Sequence, residues 1–211
     1  MRPLFDHTAA LAHLRAADPR LAVVIERAPR CDLAPRRLGS LFEVLLRAIV
    51  YQQLNGKAAA SILARVEALF PKNRPTPEAL LALSDEPLRA AGLSRNKLAA
   101  LRDLAAKTID GTVPTPAAAR KLSDAALVER LTAVRGIGPW TVHMLLMFDL
   151  GRPDVLPTGD FGVREGFRKL HRKRRQPTPA ELEKQARRWA PYRSVAAWYL
   201  WRVHEIELPP A

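Results

Sequence analysis

An all-α protein is predicted, and three features of the 211-residue sequence predict it. Apolar residues recur three or four positions apart almost throughout, the period of one helix face. The strict alternation that a half-buried strand needs is absent. Helix starts are marked by polar caps followed by proline, or by an acid three positions on.

In chain order, helices are expected near 8–16, 19–28, 41–54, 57–70, 77–83, 85–91, 95–109, 116–121 and 124–134, then near 139–150, 161–172, 179–189 and 192–205. Asp18-Pro19 reads as an N-cap with proline at the first helical position. Ser40-Leu41-Phe42-Glu43 and Thr178-Pro179-Ala180-Glu181 read as capping boxes. Breakers separate the runs: Asn55-Gly56, "PKNRPTP" (71–77), Gly92, "DGTVPTP" (110–116) and "GRPDVLPTGD" (151–160). No internal repeat or long linker appears, so the chain reads as many short helices in one large domain or two small ones.

Composition narrows the partner. Thirty-four Lys and Arg against 21 Asp and Glu leave a net charge of +13, which favours a polyanion, nucleic acid before an anionic membrane surface. No apolar run approaches the roughly 20 residues that span a bilayer. "MRPLFDHTAALAHLRAADPR" has no continuous apolar core and no small-residue cleavage site, so no secretory signal is expected. Cys31 is the single cysteine, which leaves no internal disulfide and no cysteine-ligated cluster. His7, His13, His143, His171 and His204 lack metal-ligand spacing and read as surface or capping residues. A cytoplasmic, monomeric, basic protein without a transition metal is the expectation.

"LTAVRGIGPWTVHML" (131–145) breaks a helical run at Gly136-Ile137-Gly138 and resumes it at once through Pro139-Trp140. Both glycines tolerate positive φ and leave no Cβ in the way of an approaching group, and Pro139 suits the first turn of a helix. Outward-facing amides there would take an anion. A tight helix–helix connection with a glycine C-cap explains the same residues. "FRKLHRKRRQP" (167–177) carries six Lys and Arg, and is either a solvated helix C-terminus or a phosphate-facing surface.

The hairpin, "GRPDVLPTGDFGVREGF" and "RAIVYQQLNGKAA" (47–59), at these separations and with "PYRSVAAWYLW" (191–201), resemble the helix–hairpin–helix DNA glycosylase superfamily. The likeness is to its alkylbase (3-methyladenine) DNA glycosylase II branch and runs from about Leu41 to Trp201. It implies two packed helical lobes, about 41–150 and about 1–40 with 151–211, and an active cleft between them lined by the hairpin helix and Asp160. It implies a monofunctional enzyme of base excision repair. Such an enzyme removes alkylated purines such as 3-methyladenine and 7-methylguanine from double-stranded DNA, as part of nucleoid-associated work. No cofactor is required for that hydrolysis.

Within the resemblance, Asp160 is the catalytic carboxylate; from position alone it is an N-cap, and both roles can coexist. A fixed anion stabilises the positive charge that grows on deoxyribose as the base leaves, and can orient or deprotonate the attacking water. O-glycosidases usually need a second carboxyl as general acid. Glu165, the nearby acid, is five residues on and poorly aligned. A lone carboxylate suffices where the leaving base is already cationic.

The resemblance also sets Trp140, Trp201, Phe161 and Met144 around the base, where indoles would stack on a cation. Bifunctional members carry a nucleophilic lysine between the proline and threonine of the hairpin helix; here that residue is Trp140. Without an amine no Schiff base or strand-nicking step forms by that route. Trp189 and Trp198 read as core. Met144 stands where a well-known enterobacterial member has tyrosine, Tyr192 replaces a tryptophan before Arg193, and that member's N-terminal β-domain has no counterpart.

DNA contacts are expected from Gly136, Ile137, Gly138, Thr141 and Arg193. Gln53, or Leu54 if the register slips by one, is expected to fill the gap left by an extruded base. Without the likeness the same bend is a polar helix end closed by Asn55-Gly56. A Na or K ion on the backbone carbonyls of Thr132, Val134 and Gly136 is implied in the same way. Two other classes stay open: a non-catalytic helix–hairpin–helix DNA-binding module, and a glycosylase for oxidised, deaminated or mismatched bases. Lysine at position 140 or four clustered cysteines would favour that last class.

Overall fold

The computed structural model describes residues 5–35 and 39–209; part of the expected lobe junction near residue 40 therefore lies outside the described residues. Among the described residues the regular structure is helical throughout. The helices are α1 (His7–Ala17), α2 (Pro19–Arg27), α3 (Leu41–Tyr51), α4 (Gly56–Glu67), α5 (Pro77–Ala82), α6 (Asp85–Ala90) and α7 (Arg95–Ile109). They continue with α8 (Pro116–Lys121), α9 (Asp124–Thr132), α10 (Pro139–Met144), α11 (Phe161–Leu170), α12 (Pro179–Ala186) and α13 (Arg193–Arg202). The chain packs as two compact units, one of residues 38–142, the other of the chain up to 37 and from His143 onward.

In the unit of residues 38–142, α7 packs against α3, α5 and α6. Leu45, Ile49 and Val50 of α3 meet a core that includes Leu98, Leu101 and Leu104 of α7 and Leu80 of α5, all buried. Each such side chain contributes about 1.5–3 kcal/mol of burial. The polar face of α7 closes helix ends that would otherwise leave carbonyls without donors. Arg102 donates to the Leu80 and Leu83 carbonyls, and Lys97 Nζ donates to the Val50 carbonyl (2.7 Å).

The other unit is organised by α13, in which every residue from Ser194 to Leu200 is buried. A helix apolar on all sides needs neighbours on all sides, and α11 and α2 supply them. Ser194 Oγ donates to the Arg152 carbonyl (2.7 Å) and accepts from the Val155 amide (2.9 Å), fixing the loop before α11. Asp18, 1% exposed, caps α2 through the Arg20 and Leu21 amides. Its Oδ2 accepts from Trp189 Nε1 (3.1 Å) and faces His171 (3.3 Å) and Arg188 (3.0 Å). Burial alone would raise its pKa, but His171, Arg188 and the Leu21 amide together hold it below the usual range.

Local signals placed the elements well, and the departures have local causes. Thr178 and Glu181 exchange both capping-box bonds, whereas Ser40 accepts from the Glu43 amide while Glu43's carboxylate faces Arg74 (3.6 Å). Helix α3 ends at Tyr51 rather than 54, because Gln52 turns to ψ 133° and Gln53 takes φ +58°. The expected helix 139–150 is α-helical only to Met144 and continues as a π segment over Leu145–Asp149. The run 179–189 ends in a 3-10 turn, Arg187–Trp189.

Two carboxylates held low by their partners contribute a pH-dependent part of the stability. Arg168 and Gln176 hold Glu165 at about 2, and Arg175 with the Thr178 amide holds Glu181 at about 2. A depressed folded pKa contributes stability above the unfolded value near 4.5, and that contribution is lost as pH falls towards 2. Urea midpoints should therefore be flat above about pH 5 and fall steadily below about 4.5. A midpoint unchanged down to pH 3 would mean these pairs add nothing to the folded state.

Candidate functional site

Asp160 is delivered by a turn in which its own amide donates to the Pro157 carbonyl (2.9 Å). It then opens α11, its Oδ1 accepting from the Val163 amide (2.7 Å) as an N-cap does. The same oxygen accepts from Trp201 Nε1 (2.9 Å), carried by α13. Half-buried, with two donors converging on one oxygen, the carboxylate is fixed in direction.

That meeting depends on two glycines four apart on α11. A Cβ on Gly166 would fall on the Leu200 carbonyl oxygen and lie 2.8 Å from its carbon. A Cβ on Gly162 would lie 2.8 Å from Trp201 Cδ1 and 3.2 Å from Asp160 Oδ1. Glycine is therefore required at both positions for space. Phe148, in the π segment, stacks on Trp201 with ring centroids 5.8 Å apart and planes at 25°. Phe161, next to Asp160, is 71% exposed, so it stands in solvent and does not form an enclosed wall; Met144 is half-buried.

The hairpin belongs to the unit of residues 38–142. Gly136 has φ +79°, a left-handed conformation that favours glycine. Gly138 has an ordinary φ, and a Cβ there would meet nothing within 4 Å. Nothing inside the fold demands glycine at 138; what it leaves is room for an outside group to reach the backbone. Ile137 and Thr141 are buried, so only their backbones could face a ligand. Trp140 is 52% exposed at the start of α10, an unusual place for so large an apolar side chain unless it meets a partner. Trp189 and Trp198 are core.

The hairpin is held from two sides. Asp103 Oδ2 of α7 accepts from the Arg135 amide (2.7 Å), while its Oδ1 pairs with Lys107 (2.6 Å). Burial would raise the Asp103 pKa, but the Arg135 amide and Lys107 outweigh it and the carboxyl is held low. Gln52 Nε2 donates to the Gly136 carbonyl (2.8 Å). Beyond Gln52, Gln53 and Leu54 are exposed, and Asn55 caps α4 through the Ala58 amide (2.9 Å).

Arg193, expected at the DNA, is engaged inside the fold. Its Nε and guanidinium NH2 grip both oxygens of Asp154 (2.7 and 2.9 Å), and its amide donates to Asp154 Oδ1 (3.2 Å). The basic run also divides. Arg168 is paired with Glu165 and Arg175 with Glu181 (both 2.6–2.7 Å at closest), and Arg172 donates to the Pro209 carbonyl (2.9 Å). Lys173 and Arg174 stand exposed between them. Among positioning residues, Gly162 and Gly166 are not singled out by the sequence reading, although their four-residue spacing is a signal that marks them. Phe148, Gln52 and Asp103 carried no such signal.

A family model described as the HhH-GPD superfamily base excision DNA repair protein matches residues 46–191. DNA-3-methyladenine glycosylase 1 of Schizosaccharomyces pombe is 43% identical over 166 residues, spanning 78% of this chain and 73% of that one. A solved structure of the S. pombe 3-methyladenine DNA glycosylase in complex with abasic DNA is 38% identical. It covers 94% of this chain and 97% of its own, with a TM-score of 0.77. A DNA-3-methyladenine glycosidase structure from Bacillus halodurans reaches a TM-score of 0.84 at 36% identity, covering 96% of this chain and 92% of that one.

Gly162→Ala should push the Trp201 indole off Asp160, at a cost of about 1–3 kcal/mol in stability for the overpacking. Indole N–H resonances read this directly: that of Trp201 should shift while that of Trp189 stays. An unmoved Trp201 resonance would show that the crossing of α11 and α13 yields to a Cβ.

Proposed function

The chain belongs to the HhH-GPD superfamily of base excision DNA repair proteins, and we propose that within it the chain is a monofunctional DNA glycosylase for alkylated purines. It hydrolyses the N-glycosidic bond of bases such as 3-methyladenine and 7-methylguanine and leaves an abasic site. The observation that carries the reading is the single carboxylate of Asp160, aimed by the Val163 amide and the Trp201 indole.

Cleavage of a glycosidic bond passes through an oxocarbenium-like state. A preorganised anion lowers that barrier because the charge it faces grows along the reaction. Asp160 would also orient or deprotonate the water that attacks the sugar. Glu165 cannot serve as general acid at neutral pH: Arg168 and Gln176 hold its carboxyl at about 2, so it has no proton to give. A base that is already cationic leaves without one. Trp201, stacked on Phe148 and bonded to Asp160, suits such a base, an indole contact contributing about 0.5–2 kcal/mol. With tryptophan at 140, water and not an amine is the nucleophile.

Gly138 leaves the hairpin backbone open to a DNA phosphate. The carbonyls of Thr132, Val134 and Gly136 are hard oxygen donors that fit a Na or K ion. Val134 O accepts from Ile137 N (3.0 Å) and Gly136 O from Gln52 Nε2 (2.8 Å), and a carbonyl oxygen has two lone pairs. Bound there, the ion would add positive charge beside the phosphate.

Asp160→Asn keeps an oxygen for the Val163 amide and removes the charge. Single-turnover base release from methylated DNA should fall by roughly a hundredfold to a thousandfold or more, with affinity kept. The wild-type product strand should stay unbroken until alkali is added. Near wild-type release by the variant, or borohydride trapping of a covalent adduct by the native enzyme, would sink the mechanism.

DNA binding should weaken with salt by about 0.9 in log K per log[salt] for each phosphate neutralised. Lys173→Ala with Arg174→Ala should flatten that slope by up to about 1.8, because these exposed cations are available to phosphate. Arg175→Ala, which breaks a pair with Glu181, should change it less. Equal slopes for the double variant and the native protein would make the run a solvated helix end.

A further inference from the structure

We propose that Gln52 is a positioning residue that locks the α3–α4 bend to the hairpin, so that gripping a phosphate and filling the vacated base position become one event. The proposal rests on the glycosylase reading for its consequence, and on geometry within residues 38–142 for its substance.

Three observations meet at this residue. Helix α3 stops at Tyr51, although its apolar pattern runs on, because Gln52 turns to an extended ψ of 133°. The next residue, Gln53, is exposed and held at φ +58°, a conformation that a non-glycine side chain keeps only when its surroundings impose it. Gln52 meanwhile sends its amide across 84 residues of chain to the Gly136 carbonyl (2.8 Å).

The hairpin end of this bond is a single peptide plane. Gly136 supplies the carbonyl that Gln52 holds, and Ile137 supplies the N–H of the same plane, which donates to the Val134 carbonyl (3.0 Å). Because the peptide is rigid and trans, fixing both its polar ends fixes its tilt. The tilt sets where the chain enters Gly138, the position left open to an outside group. One step earlier, the Arg135 amide is pinned on Asp103 (2.7 Å). On the other side of Gln52, Lys97 holds the Val50 carbonyl (2.7 Å), so the bend has a fixed base on α7. A single side-chain amide thus joins two loops that are each braced by α7. Remove it, and each loop keeps its own brace but loses the other's register.

The inference extends to specificity between substrates. A lesion in duplex needs both loops at once: a gripped backbone and a plug in the vacated space. A lesion in a single strand needs no plug, since nothing has to be kept from re-pairing. Coupling through Gln52 should therefore matter for duplex alone.

The test uses the full chain with Gln52→Glu, which is nearly isosteric but offers no donor, and Gln52→Met, which removes donor and charge alike should the acid disturb folding. In the DNA-free protein, amide hydrogen exchange should quicken in the hairpin, residues 134–139, as well as at the bend. The expected increase is about five- to tenfold, the equilibrium worth of one hydrogen bond. Single-turnover release from methylated duplex should fall by a similar factor, while release from a methylated single strand changes less than about twofold. Adding Gln53→Ala to Gln52→Glu should lower the duplex rate little further, since the plug is already out of register. Faster exchange confined to the bend, or equal losses on both substrates, would overturn the proposal. If the native protein released no base at all, the glycosylase reading would fail, and the exchange measurement would still decide the coupling.

Discussion

The contact on which the Asp160 site depends is the close crossing of α11 and α13, where Gly166 lies against the Leu200 carbonyl with no room for a Cβ. One turn earlier Gly162 gives the Trp201 ring its seat, and two residues further back is Asp160. Spacing glycines four apart on one helix face clears a groove along that face. Any side chain in it would lift α11 from α13 and part the indole from the carboxylate. The buried stretch Ser194–Leu200 makes the crossing firm, because α13 has neighbours on every side and cannot shift to accommodate. The Asp18 cluster ties down the far end of α11 through His171.

In the unit of residues 38–142 the corresponding role falls to α7. Its apolar face supplies core leucines, while Lys97, Arg102 and Asp103 reach the backbone of three different elements. A helix that uses one face for packing and the other for capping its neighbours converts loose loop ends into fixed geometry. That is the condition for a backbone site, since amides that wander cannot hold a phosphate.

Several charged groups around α11 and α13 are held by one another. Arg193, Arg175, Arg168 and Glu165 are all committed to internal pairs. At the start of α11 stands a carboxylate with a fixed direction, held by Trp201, which stacks on Phe148, and followed in the chain by exposed Phe161. On the proposed function, that carboxylate would face a cationic sugar, while Glu165, paired with Arg168, is held ionised. Selectivity for bases that are already cationic would, on the same proposal, be a property of the leaving group, with no proton needed from the protein.

Sequence by itself determined what is local. Caps at Asp18, Ser40, Thr178 and Asp160 were readable because each bonds an amide two or three residues on. The break at Gly136 was readable because tolerance of positive φ is a property of one residue. Asp160 was singled out by its place before a helix and by likeness, and Trp140 by its place after Pro139. Tertiary structure alone decided the partners. Trp201 reaches Asp160 across 41 residues, Gln52 reaches Gly136 across 84, and Arg193 turns to Asp154 instead of outward. The apolar period that suggested a helix to residue 54 could not show that α3 stops at 51, where Gln52 turns to an extended ψ and its side chain bonds another loop. The physical reason is the same in each case: a cap or a turn is settled by neighbours along the chain, whereas the direction of a long polar side chain is settled by whichever donor or acceptor folding brings within about 3 Å.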